Sequence, residues 1–238
     1  MAKTPRKPLL SVIVPVYNER RTIELLLEKV RAIDVDKEII VVDGASEDGT
    51  VEILREQKKI PGTRVILQRE RRGRGNALKV GIRAARGEYI IFQDADLELD
   101  PSDYPSLLKP ILDGKADVVF GSRLLRGRPK MGFLQYWGNK VINWSVNILY
   151  TPELRGAWLT DVETCYQVFK RDAFRNFQIR NNHFAFTVEL TVRLILAGYR
   201  IKEIPISYFP RGKAEGKKIY WGDGVASLWT LFRIRIFN

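Results

Sequence analysis

Short apolar runs alternate along this chain with longer stretches in which apolar residues recur every three or four positions. Leu9 to Val16 is a compact β-branched run that reads as a buried strand. Thr22 to Ile33 follows, with Ile23, Leu26, Leu27, Val30 and Ile33 at helical spacing. Glu38 to Val42 predicts a second buried strand, and Ser46 or Asp48 the cap of a helix reaching Lys58. Pro61-Gly62 marks a turn before a third strand at Val65 to Leu67. Asn76 to Arg86 predicts a helix closed by Gly87, and Tyr89 to Gln93 a fourth strand. Pro101 and Pro105 shape a turn and open another helix, and Ala116 to Gly121 reads as a strand again. This alternation implies an α/β chain: a single Rossmann-like, mostly parallel sheet with helices on both faces.

The last third is patterned differently. Tyr136 to Tyr150 is apolar and aromatic, but too short and too interrupted to span a bilayer. Val188 to Ala197 reads as a buried helix ended by Gly198, and Ile201 to Tyr208 as a strand. Val225 to Phe237 is an aromatic stretch carrying Arg233 and Arg235. The expected organisation is one domain over residues 1–223 and a C-terminal amphipathic segment over 224–238. The segments Tyr136 to Tyr150 and Trp221 to Phe237 suit either a bilayer interface or ordinary core packing.

Composition narrows the picture modestly. At 238 residues and 45% hydrophobic, the chain can bury a sizeable core. Its single cysteine excludes an internal disulfide and suits a reducing compartment. Residues 1–8 are polar and basic, without the apolar stretch of a signal peptide. A net charge of +12 fits nucleic acid, an anionic membrane surface or a phosphorylated ligand. The basic residues are dispersed and no helix-turn-helix, zinc or RNA-binding signature occurs, so no nucleic-acid partner is expected.

The candidate chemistry lies at strand ends, where an open α/β sheet binds its ligands. Asp94-Ala95-Asp96 follows the apolar run Tyr89 to Gln93. Two carboxylates so placed can hold Mg²⁺ or Mn²⁺ together with phosphate oxygens and water, and Glu98 adds a third carboxylate. Pro15 ends the first strand and sets Tyr17, Asn18 and Glu19 at the sheet's mouth, where an aromatic face and polar tips suit a nucleobase. Asp43 ends the second strand and can accept hydrogen bonds from a base or ribose. Each of these also reads as an ordinary strand exit or helix cap. Gly73-Arg74-Gly75-Asn76-Ala77 lacks the third glycine of a dinucleotide fingerprint, and its glycines suit either a close backbone approach to a ligand or a plain turn. Cys165 reads as a small buried residue. His183, the only histidine, reads as a loop or core residue.

Taken in order, Val14 to Glu19, Val42 to Ser46, Gly73 to Ala77, Asp94-Ala95-Asp96 and Gly121-Ser122-Arg123 resemble the motifs of a family 2 glycosyltransferase of the GT-A fold, in the dolichyl-phosphate mannose synthase-like branch. The resemblance covers about residues 9–223. It implies an inverting enzyme that moves a hexose from GDP-mannose or UDP-glucose to a polyprenyl (dolichyl) phosphate. Pro15, Tyr17, Glu19, Asp43 and Gly73 are then expected on the nucleotide sugar and Asp94 near the nucleotide or sugar. Asp96 is expected to bind the metal, with Glu98 where the family usually has Gln. Arg123 is expected on phosphate, and Arg211 and Lys217 match a basic pair that closes over donor and acceptor phosphates. Residues 210–218, rich in Gly and Lys, suggest a mobile lid. In the acceptor helix Asn139, Lys140 and Asn143 stand where a basic residue and a serine are common. Asp161 is expected near the acceptor: an orienting group for a phosphate, or a general base for a hydroxyl of a polysaccharide or lipid alcohol. With aromatic and basic segments but no run long enough to span a bilayer, the chain is expected to be a peripheral enzyme on the cytoplasmic face of a membrane, held by apolar contact and basic charge.

Overall fold

The computed structural model describes residues 7–127, 129, 131–176, 178–211 and 221–237, the side chains of Asn176 and Trp221 excepted. Among the described residues seven strands form one sheet: β1 (Leu10–Val16), β2 (Lys37–Asp43), β3 (Thr63–Leu67), β4 (Tyr89–Phe92), β5 (Val118–Ser122), β6 (Gln167–Lys170) and β7 (Ile201–Pro205). Their spatial order is β3-β2-β1-β4-β6-β5-β7. All neighbours are parallel except β6, which runs antiparallel between β4 and β5. Strands β1, β4 and β5 are buried along their whole length, which is why they read as continuous apolar runs rather than alternating ones.

Among the described residues the α-helices are α1 (Ile23–Ala32), α2 (Thr50–Gln57), α3 (Arg74–Ala84), α4 (Tyr104–Leu112), α5 (Phe133–Leu149), the single turn α6 (Thr151–Leu154), α7 (Ala185–Leu196) and α8 (Trp221–Phe237). In α1 the buried residues are Ile23, Leu26, Leu27 and Val30, the stripe that the 3.6-residue period selects. The α2 helix starts two residues after Asp48, whose Oδ1 accepts from the Thr50 amide at 3.0 Å. The boundary expected at residue 223 falls inside α8, a single helix that packs on α7 and α5.

Strand β6 has no counterpart among the predicted elements. It is four residues long, and its apolar content is only Val168 and Phe169. Its direction sets the site. Because it runs antiparallel, its N-terminal end lies at the same sheet edge as the C-terminal ends of the parallel strands. Residues 161–166 therefore stand beside the exits of β4 and β5. The chain leaving β7 also returns to this edge, where Leu99 and Tyr208 form an isolated bridge and the Phe209 amide donates to the Glu98 carbonyl at 2.9 Å.

Candidate active site

On one side of this edge, the exits of β1 and β2 lock each other. The Gly44 amide donates to the Val16 carbonyl at 2.8 Å. Asp43, fully buried, accepts from the Ser46 amide (3.1 Å) and hydroxyl (2.5 Å). Ser46 Oγ accepts in turn from the Asn18 amide at 2.9 Å, and Asn18 Oδ1 from the Glu47 amide at 2.9 Å. Asn18 and Ala45 adopt left-handed backbone (φ 52° and 64°), a cost that these bonds offset. The Arg71 guanidinium lies 4.3 Å from the Tyr17 ring centroid, a cation–π contact at the mouth of the sheet.

The glycines at 73 and 75 serve packing against protein. A Cβ on Gly73, whose φ is +89°, would fall 2.5 Å from the Asn182 carbonyl oxygen and from His183 Nδ1. One on Gly75 would fall 2.7 Å from the Phe186 Cβ. The segment carrying Asn182 and His183, which also takes the Asn76 amide on the Asn182 carbonyl at 3.0 Å, fills the space next to Gly73.

At the centre lies the acid cluster. Asp94 Oδ1 accepts from Arg74 Nε at 2.8 Å, and Arg74 also donates to Thr187 Oγ1 at 3.1 Å and to the Cys165 sulfur. Asp96 Oδ1 accepts from the Glu98 amide at 3.1 Å, across a left-handed Leu97 (φ 62°). Burial, with the carboxylates of Asp94 and Glu98 adding to it, pushes the Asp96 carboxyl up to about 7. Three crowded acids of this kind attract a cation. The Arg211 guanidinium answers in part: it forms a fork on Glu19, both contacts 3.0 Å, and lies 3.4 Å from Asp96 Oδ2. Glu98 holds the chain that carries Arg211, accepting from the Arg211 amide at 2.9 Å and the Tyr208 hydroxyl at 3.2 Å.

The third part is an ion pair between strand ends. Asp161 is 0% exposed, and Arg123 donates to it three times: from its amide (2.9 Å) and Nε (2.8 Å) to Oδ2, and from Nη2 to Oδ1 (2.7 Å). The Tyr208 ring lies 5.4 Å from the Arg123 guanidinium. Glu203 on β7 braces this loop by accepting the Thr160 and Asp161 amides at 2.8–2.9 Å. Asn143 on α5 does the same from the other side, accepting the Val162 amide at 2.9 Å and donating to the Thr160 carbonyl. Asn139 is also buried, beside Met131, while the Lys140 ammonium sits 5.6 Å from the Tyr136 ring centroid. Next to the pair, burial pushes the Glu163 carboxyl up to about 7 against the pull of Arg123, and its Oε1 accepts from Ser227 of α8 at 3.1 Å.

Strand ends thus bring together Tyr17, Glu19, Asp43, Asp94, Asp96, Glu98, Arg123, Asp161 and Arg211. Pro15 is paired within the sheet opposite Val42, and Lys217 lies outside the described residues, as does most of the expected lid. Sequence reasoning did not single out Arg74, Glu203 or Tyr208 as site residues. A charged residue inside the glycine turn, Arg74, and an acid inside a strand, Glu203 beside Lys202, were the available signals.

This edge gathers buried acids and guanidinium groups at the C-terminal ends of the parallel strands, where an open α/β sheet binds its ligands. The sequence profile of Glycosyl transferase family 2 matches residues 11–177, and the chain belongs to that family. It is 32% identical to the low-salt glycan biosynthesis hexosyltransferase Agl6 of Haloferax volcanii, over 97% of this chain and 54% of that protein. It is 31% identical to the undecaprenyl-phosphate mannosyltransferase of Micrococcus luteus, over 86% of this chain and 85% of that one. The chain therefore spans about half the length of Agl6 but most of the mannosyltransferase. Among solved structures, glucosyl-3-phosphoglycerate synthase from Mycobacterium tuberculosis, in a complex with Mn²⁺, UDP and phosphoglyceric acid, superposes with a TM-score of 0.70 at 21% identity, covering 96% of this chain and 78% of that one. Staphylococcus aureus TarS with UDP-GlcNAc gives 0.65 at 20%, covering 96% and 66%. At these identities the likeness establishes the shared GT-A fold.

Proposed function

We propose that this enzyme transfers a hexose, with inversion, from a nucleotide-diphosphate sugar such as GDP-mannose or UDP-glucose to a polyprenyl phosphate. The observation that carries the acceptor assignment is the state of Asp161. Both its oxygens are occupied by Arg123 and none of it reaches solvent. It orients Arg123 and is not placed to take a proton. A hydroxyl acceptor needs a base, whereas a phosphate oxygen is already ionised and needs none. The name and coverage of the Micrococcus luteus relative support the same acceptor.

In this reading Tyr17, Glu19 and Asp43 bind the nucleoside, beside Gly73, and Asp94 faces the sugar. Among the described residues no group of three or more His, Cys, Asp or Glu side chains is arranged to hold a metal ion. One or two carboxylates with diphosphate oxygens and water nevertheless suffice for Mg²⁺ or Mn²⁺, and the crowded acids around Asp96 fit that demand. Asp96 is the proposed ligand, with Glu98 beside it. When bound, the cation offsets charge on the departing diphosphate. The Mn²⁺ complex of the mycobacterial synthase supports divalent-metal use. Arg123 and Arg211 present preorganised positive charge to the phosphates, and Lys217, outside the described residues, is the proposed further cation.

The acceptor's lipid tail places the enzyme at a membrane surface, as a peripheral protein on the cytoplasmic face. Among the described residues no helix is long and apolar enough to cross a membrane. Helix α5 instead exposes a stripe of Phe133, Trp137, Val141, Trp144 and Ile148, and α8 exposes Val225, Trp229, Phe232 and Ile236. Such amphipathic faces suit the headgroup boundary.

A hydroxyl acceptor is the second reading. The observation in its favour is Glu163, whose raised proton affinity beside Arg123 suits a base better than Asp161 does. Turnover of GDP- and UDP-sugars with a short polyprenyl phosphate, Mg²⁺ or Mn²⁺, separates the two. Sugar-lipid formed from one donor is the expected result. Donor binding without lipid product, together with transfer to an alcohol that Glu163→Gln abolishes, overturns it.

A further inference from the structure

Tyr208 lies between two charged parts of the site and touches both. Its hydroxyl donates to Glu98 Oε2 at 3.2 Å. The guanidinium carbon of Arg123 lies 5.4 Å from its ring centroid, within cation–π range. Glu98 belongs to the acid cluster, where its amide donates to Asp96, and Arg123 belongs to the ion pair with Asp161.

The backbone around Tyr208 is stitched to the same two places. The Ile206 amide donates to the carbonyl of Ser122, the residue before Arg123, at 3.1 Å. The Ser207 amide donates to Asp103 Oδ2 at 2.8 Å. Tyr208 itself bridges Leu99, and the Phe209 amide donates to the Glu98 carbonyl at 2.9 Å. The ring is thus anchored from both sides. Burial, with the Glu98 charge adding to it, pushes the pKa of the hydroxyl up, so it stays a donor at neutral pH.

A guanidinium group is a planar fork of fixed shape. Asp161 takes Nε and Nη2 of Arg123, and the Tyr208 ring beside the guanidinium limits how far it can tilt. Together they fix the direction in which the Nη1 side meets a phosphate. The acids around Asp96 are the proposed place of a cation and diphosphate. Attack by one phosphate on a sugar still carried by another requires both to be held at one separation.

We propose that Tyr208 is a positioning residue that couples the acid cluster to Arg123, with its hydroxyl on Glu98 and its ring on the guanidinium. A cation and diphosphate arriving at the acids change the charge around Glu98 and hence its hold on the hydroxyl, and the ring carries that change to Arg123. This deepens the glycosyl-transfer reading and rests on it for the identity of the two phosphates.

The test compares the whole chain with Tyr208→Phe, which keeps the ring and removes the hydroxyl, and Tyr208→Leu, which removes both. Thermal unfolding checks the fold. The Nε–H resonance of Arg123 is followed by NMR while Mg²⁺ and GDP or UDP are added. In the unaltered chain the resonance is expected to move as nucleotide binds. Tyr208→Phe is expected to keep its starting position, set by the ring current, and to lose the response, whereas Tyr208→Leu loses both. The KM for a short polyprenyl phosphate is expected to rise about three- to tenfold in Tyr208→Leu, the value of a lost cation–π contact, with nucleotide affinity unchanged. An Arg123 response that survives in Tyr208→Phe, or its absence in the unaltered chain, overturns the proposal. So do equal losses of acceptor and nucleotide affinity that track a lowered melting temperature, the mark of a merely structural role. An Arg123 response lost only in the variants, without sugar-lipid product from the unaltered chain, supports the coupling and overturns the acceptor reading instead.

Discussion

The two halves of the sheet edge are built by different means. On the β1–β2 side, Asn18, Asp43 and Ser46 are tied by hydrogen bonds between two adjacent turns that follow paired parallel strands. On the β5–β7 side, Arg123 holds Asp161 from 38 residues away, and Arg211 holds Glu19 from 192 residues away. The first half is set once its strands pair. The second depends on charges brought together from distant segments, so its geometry responds to the loss of one partner and to proton or ligand binding. On the proposed function, a half fixed by local hydrogen bonds would hold the nucleoside and an ion-paired half would meet the phosphates, which suits a reaction in which the donor must be held while charge moves.

The most damaging way to test this contrast is Asp161→Asn. It leaves the Arg123 guanidinium buried without its countercharge, a change that costs about 3–5 kcal/mol when a buried pair is broken from one side. Chemical denaturation should show that loss. Removal of the Ser46 hydroxyl in Ser46→Ala, on the other half, should cost about 1–3 kcal/mol. Equal effects would erase the distinction.

Asp96→Ala comes next and separates catalysis from folding. Removing one of three crowded carboxylates is expected to leave thermal stability unchanged or improved, because burial and like charge already work against the Asp96 anion. Sugar transfer should fall by about 10²–10³-fold, the range for losing one preorganised electrostatic group. Near-normal turnover in this variant would remove Asp96 from the mechanism.

The smallest effect concerns pH. Facing Glu163 are Arg123, Asp161, Asp223 and the Ser227 hydroxyl. Its folded-state value of about 7 lies above the ordinary glutamate value, so the folded protein binds this proton more tightly than the unfolded chain does. The resulting stabilisation is complete below the unfolded value and is lost as pH rises through about 7. Glu163→Gln should therefore flatten the dependence of melting temperature on pH between about 4.5 and 7. An unchanged slope would show that Glu163 titrates normally.

Some of this was legible in the residues alone. The apolar runs located β1 to β5 to within about two residues, since buried parallel strands leave a strong apolar signal, while β7 starts where expected and ends three residues earlier, at Pro205. The acids at the strand exits were equally visible, because chain direction alone puts them at one edge. Strand β6 escaped notice: Gln167 to Lys170 offers two apolar residues, and its place in the sheet comes from pairing with β4 and β5 on both sides. Gly73 and Gly75 were readable as points of close approach, but not the identity of what approaches. The structure puts Asn182, His183 and Phe186 against them.

What the sequence by itself determined is the class of fold, the family and the set of strand-end residues, because these follow from local periodicity and the order of motifs. What only the tertiary structure decided is which charges face one another. Asp161 turned out to be the saturated partner of Arg123, Glu98 the anchor of Tyr208 and Arg211, and Glu203 the brace of the Thr160 and Asp161 amides. The physical reason is range. Backbone periodicity acts over a few residues and leaves its mark on the sequence. An ion pair is fixed by the position of two groups in space, and the chain separating them carries no record of it.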